Sequence, residues 1–108
     1  MAFADLEQRA WEVRQQYAVL EQRNYGRSWT REEVAIGFVG DVGDLMKLVM
    51  AHAGVRTTPD ADSKLAHELA DCLWAVLVLA RLYEINLEET FVQTMDGLAR
   101  HIASQLAS

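Results

Sequence analysis

The 108-residue sequence has one cysteine, one proline, no run of basic residues and no apolar run long enough to cross a bilayer. A lone Cys72 excludes an intramolecular disulfide. It lies within the longest apolar run, Cys72 to Ala80, where a free thiol behaves as a small hydrophobe. With proline only at position 59, long uninterrupted elements are favoured. The N-terminus lacks a basic stretch followed by an apolar core, so no signal peptide is expected and the cytoplasm is the default location. The net charge is −6 and no basic patch is visible, which argues against duplex nucleic acid as a partner. An acidic protein can still bind an anionic nucleotide if a metal stands between them. Internal repeats, low-complexity tracts, strand-like alternation and a glycine-rich phosphate loop are also missing.

What is present is a helical pattern. The length suits one domain, residues 1–108, and 51% hydrophobic residues are enough for a core. A first helix is expected over about Ala4–Asn24, with Leu6, Ala10, Trp11, Val13, Tyr17 and Leu20 at helical spacing. A second runs from Thr30, paired with Glu33 as a capping box, to about His52. Gly54 is its expected C-terminal cap, and residues 54–62, with Thr57, Thr58, Pro59 and Asp60, read as a polar loop. A third is expected over about Ser63–Tyr83 with Asp62 as N-cap. Its middle, CLWAVLVLA, is apolar on every side, which places it at the centre of a bundle and against a second subunit. A fourth begins at Glu88 and Glu89, with an apolar stripe of Phe91, Met95, Leu98, Ile102 and Leu106. The fold class is all-α: a four-helix up-down bundle assembled as a dimer or a dimer of dimers.

Two acidic pairs carry the chemistry. Asp41 and Asp44 are three apart on the second helix; Glu68 and Asp71 are three apart on the third. Residues at this spacing share a face. Acids three apart often mark a solvated face, but both pairs here interrupt apolar surroundings: Phe38, Val42 and Leu45, and Leu65, Leu69 and Leu73. The two helices should be antiparallel neighbours. Four carboxylates meeting in a partly dry space repel one another unless protonated or neutralised by a cation. An all-oxygen set suits Mg²⁺, with Mn²⁺ as the alternative, and substrate phosphates would complete the coordination. Gly37, Gly40 and Gly43 recur every three residues, and each costs roughly 1 kcal/mol relative to alanine inside a helix. Close approach of another backbone is the compensation expected.

The segments GDVGDL and HELADCLW, with residues 45–67 between them, resemble the MazG-like all-α nucleoside triphosphate pyrophosphatases. That family carries Glu-Glu-x-x-Glu on one helix and Glu-x-x-Asp on the next. FVGDVGDL looks most like the deoxycytidine-triphosphatase branch, and INLEETFVQTM is similar to the segment after the third family helix. The resemblance implies that Asp41, Asp44, Glu68 and Asp71 form a catalytic Mg²⁺ site. It further implies hydrolysis of a nucleoside triphosphate, a deoxynucleotide included, to a monophosphate and pyrophosphate as nucleotide-pool housekeeping, and a homo-dimer or homo-tetramer. Gly40 stands where the family has its first motif Glu, and Thr94 and Leu98 stand where many members carry Lys and Asn. These departures keep open a catalytically weakened domain that binds metal, nucleotide or a protein partner. A purely structural helical dimer is the third reading.

Outside the acids, Trp29, Trp74 and Tyr25 could stack on a base, although core or interface packing is the competing reading. Lys47, three residues after Asp44, could contact phosphate or simply face solvent. Arg100 or His101 could supply the phosphate contacts that Thr94 and Leu98 cannot. His52, His67 and His101 have no metal-binding spacing. His67 reads as a helix-surface residue, with support of the neighbouring ligand Glu68 as the other possibility.

Overall fold

In the computed structural model, residues 1–54 and 59–108 are described, and they form four helices with no strand among them. They are α1 (Phe3–Tyr25), α2 (Arg31–His52), α3 (Ala61–Leu82) and α4 (Leu87–Ala107). The all-α class read from periodicity is therefore observed. Thr57 and Thr58 of the expected polar loop lie outside the described residues.

Local chemistry sets the helix ends. The backbone N–H of Ala2 donates to Asp5 Oδ2 at 3.0 Å, and α1 stops at Gly26, whose φ of +79° is open to glycine at no steric cost. At the start of α2 the capping box is complete. The Glu33 N–H donates to Thr30 Oγ1 at 3.2 Å, and the Thr30 N–H donates to Glu33 Oε1 at 3.1 Å. Gly54 does sit in the left-handed region, φ +83°, one residue beyond the C-cap Ala53. The α3 start differs from expectation. The N-cap is Asp60, in a left-handed conformation with no side-chain cap bond, and Asp62 lies within the first turn. There the Asp62 carboxylate faces His52 at the far end of α2, Oδ1 to Nδ1 3.6 Å, a contact that local patterning does not encode. Asn86 caps α4, accepting from the Glu89 N–H at 3.1 Å.

α2 and α3 are antiparallel neighbours. Arg31 lies over the Tyr83 ring at one end, 4.5 Å from its centroid, and His52 meets Asp62 at the other. α1 packs on α3 in the same sense, with Gln8 opposite Arg81 and Tyr17 opposite Trp74. The indole N–H of Trp74 donates to the Ala10 carbonyl at 3.1 Å and ties the two helices together. The core is Ala10, Val34, Leu77 and Val78, with Phe3, Trp74, Leu79, Leu82 and Leu87 packed around it.

Within one chain the bundle is open. α1 and α2 cover only part of α3, leaving Leu69 and Leu73 about half exposed. α4 contributes no buried residue among those described, and its stripe of Phe91, Met95, Leu98 and Ile102 is exposed. The radius of gyration is 17.4 Å, against about 13 Å for a compact domain of this length. The glycines of α2 do not serve close approach within the chain. A Cβ on Gly40 or Gly43 would meet nothing within 4 Å among the described residues, and one on Gly37 would touch only the Trp29 ring at 3.8 Å.

Candidate metal centre and adjoining cleft

α2 and α3 present the four sequence-predicted acids to one another. Carboxylate oxygens of Asp41, Asp44 and Glu68 all lie within 4.8 Å of one another, a spacing that one cation can bridge. Asp71 falls into a second, overlapping group with Glu68 and His67, again within 4.8 Å. The four acids and His67 thus form two triads sharing Glu68. Asp41, Glu68 and Asp71 are half-buried, whereas Asp44 is exposed.

The electrostatics follow from this crowding. Burial pushes the Asp41 carboxyl above its usual range, and Asp71 and Asp44 push it further. Burial likewise raises Glu68, followed by repulsion from Asp71, Asp44 and Asp41, with only His67 opposing. The Cys72 thiol is raised by burial and then by the same acids, as expected of an unreactive packed cysteine. Glu68 Oε2 is buried and has no hydrogen-bond partner among the described residues. A buried carboxylate oxygen left unpaired is costly, and a cation at the triad removes that cost. The donor set is hard oxygen, so the residues fit a divalent ion of the Mg²⁺ or Mn²⁺ type.

Beside the acids lies a cleft of about 660 Å³ between α1, α2 and α3, with Asp41, Asp71 and His67 in its wall. Its other walls carry Tyr17, Tyr25, Trp29 and Trp74. The segment before α2 is folded back onto α1 by a buried ion pair. Arg14 donates to Glu21 through both terminal nitrogens, at 2.9 and 3.1 Å, and its Nη2 donates again to the Trp29 carbonyl at 3.2 Å. Glu21 Oε1 accepts the Trp29 N–H at 2.7 Å. Burial opposes the charge on Glu21, but the Arg14 and Trp29 hydrogen bonds outweigh it and hold the carboxyl below its usual range.

The remaining candidates are placed as follows. Trp29 lines the cleft and is 45% exposed, so its ring is accessible. Trp74 also lines it, but its indole N–H is committed to Ala10 and its ring stands edge-on to Tyr17 at 5.7 Å, so it is a packing residue first. Tyr25 is exposed at the rim. Lys47 is exposed on α2 outside the cleft wall, and no residue of α4, Arg100 included, lines the cleft among the described residues. Sequence reasoning missed Arg14 and Glu21, because residues seven apart on one helix read as ordinary surface charges. His67 is the helix-surface residue expected, its side chain 72% exposed, and its Nε2 lies 3.2 Å from Asp71 Oδ2. The i, i+4 spacing of His67 and Asp71 was the available signal.

No curated protein and no solved structure matches the chain. A family model does, over residues 30–101, which takes in α2, α3, both acidic pairs and most of α4 and leaves α1 outside. With two thirds of its length matched, including the whole candidate metal centre, the chain belongs to the MazG nucleotide pyrophosphohydrolase domain family.

Proposed function

We propose that this protein is a Mg²⁺-dependent nucleoside triphosphate pyrophosphohydrolase, releasing a nucleoside monophosphate and pyrophosphate. The observation that carries the reading is Glu68 Oε2, buried and without a partner among the described residues where the carboxylates of Asp41 and Asp44 converge, beside a cleft of nucleotide size. Membership of the family supports the reaction class.

Asp41, Asp44, Glu68 and Asp71 would hold the ion, which when bound supplies charge neutralisation, orientation of the phosphates and a water of lowered pKa. The chain's own residues do the rest. The acids repel a bare triphosphate, so productive binding is confined to the metal complex. The Trp29 ring, carried on a backbone held by the Arg14–Glu21 pair, offers a stacking surface for the base. That surface lies in the same cleft as Asp41 and Asp71, so a nucleoside seated there directs its phosphates toward the acids.

The working unit is a homo-oligomer, a dimer in its simplest form. The apolar stripe of α4 and the uncovered face of α3 are exposed in the single chain, and a second copy is the occupant that buries both. A second chain would also bring its own α4, with Thr94, Leu98 and Arg100, near a cleft that this chain's α4 does not reach. No helix among the described residues is long and apolar enough to cross a membrane; a nucleotide-pool role would fit a cytoplasmic protein.

Gly40 favours a second reading, a weakened enzyme that binds nucleotide and metal but turns over poorly, because no side chain projects where the family places its first Glu. Pyrophosphate release with Mg²⁺, assayed across the common ribo- and deoxyribonucleoside triphosphates, separates the two. Turnover that vanishes in Asp71→Asn supports the enzyme. Stabilisation by Mg²⁺ and a non-hydrolysable triphosphate without product supports the weakened form. Neither product nor stabilisation refutes both.

A further inference from the structure

Glycine inside a helix is disfavoured relative to alanine, yet α2 carries three. A Cβ on Gly40 or Gly43 would meet nothing within 4 Å among the described residues, and neither glycine lines the cleft. Gly37 differs on both counts. It lies in the cleft wall, and a Cβ there would stand 3.8 Å from Cζ3 of the Trp29 ring. We propose that Gly37 is a specificity-determining residue for the nucleoside half of the substrate. Its missing side chain keeps open the strip of cleft between the Trp29 ring and Asp41, where the sugar of a bound nucleoside triphosphate lies. The inference rests on the proposed function and adds to it how this chain admits the nucleoside.

Three observations support it. First, Gly37 is four residues before Asp41 on α2, so the two share a helix face, and both line the cleft together with Trp29. A ligand stacked on the ring with its phosphates at the acids crosses position 37. The distance from there to Asp41 is one helical turn, about 5.4 Å, comparable with the reach of a pentose between its base and its 5′ oxygen. Second, neither backbone nor packing requires glycine here. The positive-φ glycines are Gly26 and Gly54, not Gly37, and nothing but Trp29 comes within 4 Å of a Cβ at 37 among the described residues. Alanine would make only an ordinary contact with the ring, so the space is wanted by something outside the chain. Third, the backbone carrying the ring is held on both sides. The Trp29 N–H donates to Glu21 Oε1 at 2.7 Å, and its carbonyl accepts from Arg14 Nη2 at 3.2 Å, with Arg14 and Glu21 both more than nine-tenths buried. A side chain added at position 37 therefore narrows the cleft instead of pushing the Trp29 segment away from α2.

The test compares Gly37→Ala, Gly37→Val and the unmodified full-length chain, each with Mg²⁺. The probes are the non-hydrolysable α,β-methylene analogues of dCTP and dATP, followed by tryptophan fluorescence, and inorganic tripolyphosphate, which has no nucleoside, followed by calorimetry. Gly37→Ala should melt at a higher temperature, because alanine favours the helix, and should bind the analogues severalfold more weakly. Gly37→Val should weaken them roughly tenfold or more, with tripolyphosphate affinity changed less than about twofold in both variants. In turnover, KM should rise while kcat stays within about twofold, the pattern of a lost binding contact. A merely structural glycine would give the higher melting temperature without the split between analogue and tripolyphosphate. Analogue affinity unchanged in both variants, with the unmodified chain binding and turning over nucleotide, overturns this inference and spares the proposed function. Equal weakening of analogue and tripolyphosphate places the effect at the acids and overturns the inference. A changed sedimentation coefficient in Gly37→Ala assigns the glycine to contact between copies and also overturns it. An unmodified chain that binds neither analogue nor tripolyphosphate overturns both. If Gly37→Val does not fold, Gly37→Ala decides, since its Cβ stands at ordinary contact distance.

Discussion

Replacing Arg14 tests whether the cleft is built on a buried charge pair. Arg14 and Glu21 are 7% and 9% exposed at the side chain, and they meet through two hydrogen bonds of 2.9 and 3.1 Å. Arg14→Met keeps the apolar stem but leaves the Glu21 carboxylate buried, with only the Trp29 N–H to satisfy it. Removing one partner of a buried pair costs about 3–5 kcal/mol, because the stranded charge retains its desolvation penalty. Loss of the bond to the Trp29 carbonyl is part of that cost. For a domain whose total stability is of order 5–15 kcal/mol this is a large fraction. At a urea dependence of about 1.5 kcal/mol/M, the unfolding midpoint should fall by roughly 2–3 M. Arg14→Met with Glu21→Leu removes both charges and should lose less than the sum of the two single changes. The residual loss is the two backbone groups of Trp29 left without partners, about 1–3 kcal/mol each. The assay is urea unfolding at fixed protein concentration, followed by tryptophan fluorescence, which also reports the release of Trp29. A single variant within about 1 kcal/mol of the parent, or a double variant that equals the sum, would refute the reasoning.

Glu68→Gln should raise the melting temperature of the metal-free protein, because it removes a carboxylate that burial and three neighbouring acids disfavour, and should abolish stabilisation by Mg²⁺; a lower melting temperature with Mg²⁺ binding intact would count against the site. Gly40→Glu should be tolerated, since its Cβ meets nothing within 4 Å among the described residues, and should gain up to about 1 kcal/mol of helix propensity while supplying the family's missing acid; unchanged Mg²⁺ affinity and turnover would show that position 40 is not the deficit. Two opposing pH effects are expected in the metal-free protein. Asp41 and Glu68 have folded-state pKa values raised above the unfolded ones, so their destabilisation is present at neutral pH and is relieved as pH falls toward the ordinary carboxyl range. Glu33, held at about 2 chiefly by the Arg27 hydrogen bond and then by Thr30, contributes stability that is full above about pH 4.5 and lost as pH falls toward 2. Thermal melts should therefore peak in mild acid without metal, and Mg²⁺ should move the peak toward neutral; a curve that only falls on acidification from pH 7 would contradict the raised pair. Finally, Leu98→Asp on the exposed stripe of α4 should convert the oligomer to monomer in sedimentation velocity while leaving the helical circular dichroism unchanged, and a parent that already sediments as a monomer would remove the dimer.

Much of this protein was legible before any coordinates. Helix periodicity, the Thr30–Glu33 box and the i, i+3 spacing of the acids are local properties, set within a turn or two of backbone, and the corresponding elements stand where they were expected. Failures came where a partner is distant in sequence or misleading in type. Asp62 read as a cap, yet its neighbour is His52 across the turn. The α2 glycines suggested close packing, yet two of the three face open space.

The helix pattern and the pairing of acids on each of two faces follow from residue order alone, because both depend only on residue type and helical period. Tertiary structure decided which oxygens meet, that Glu68 is shared between two triads and that His67 joins one of them. It also decided that Arg14 and Glu21 pin Trp29 into the cleft wall. Those outcomes depend on how α1, α2 and α3 cross, and crossing geometry is set by the packing of side chains far apart in the chain.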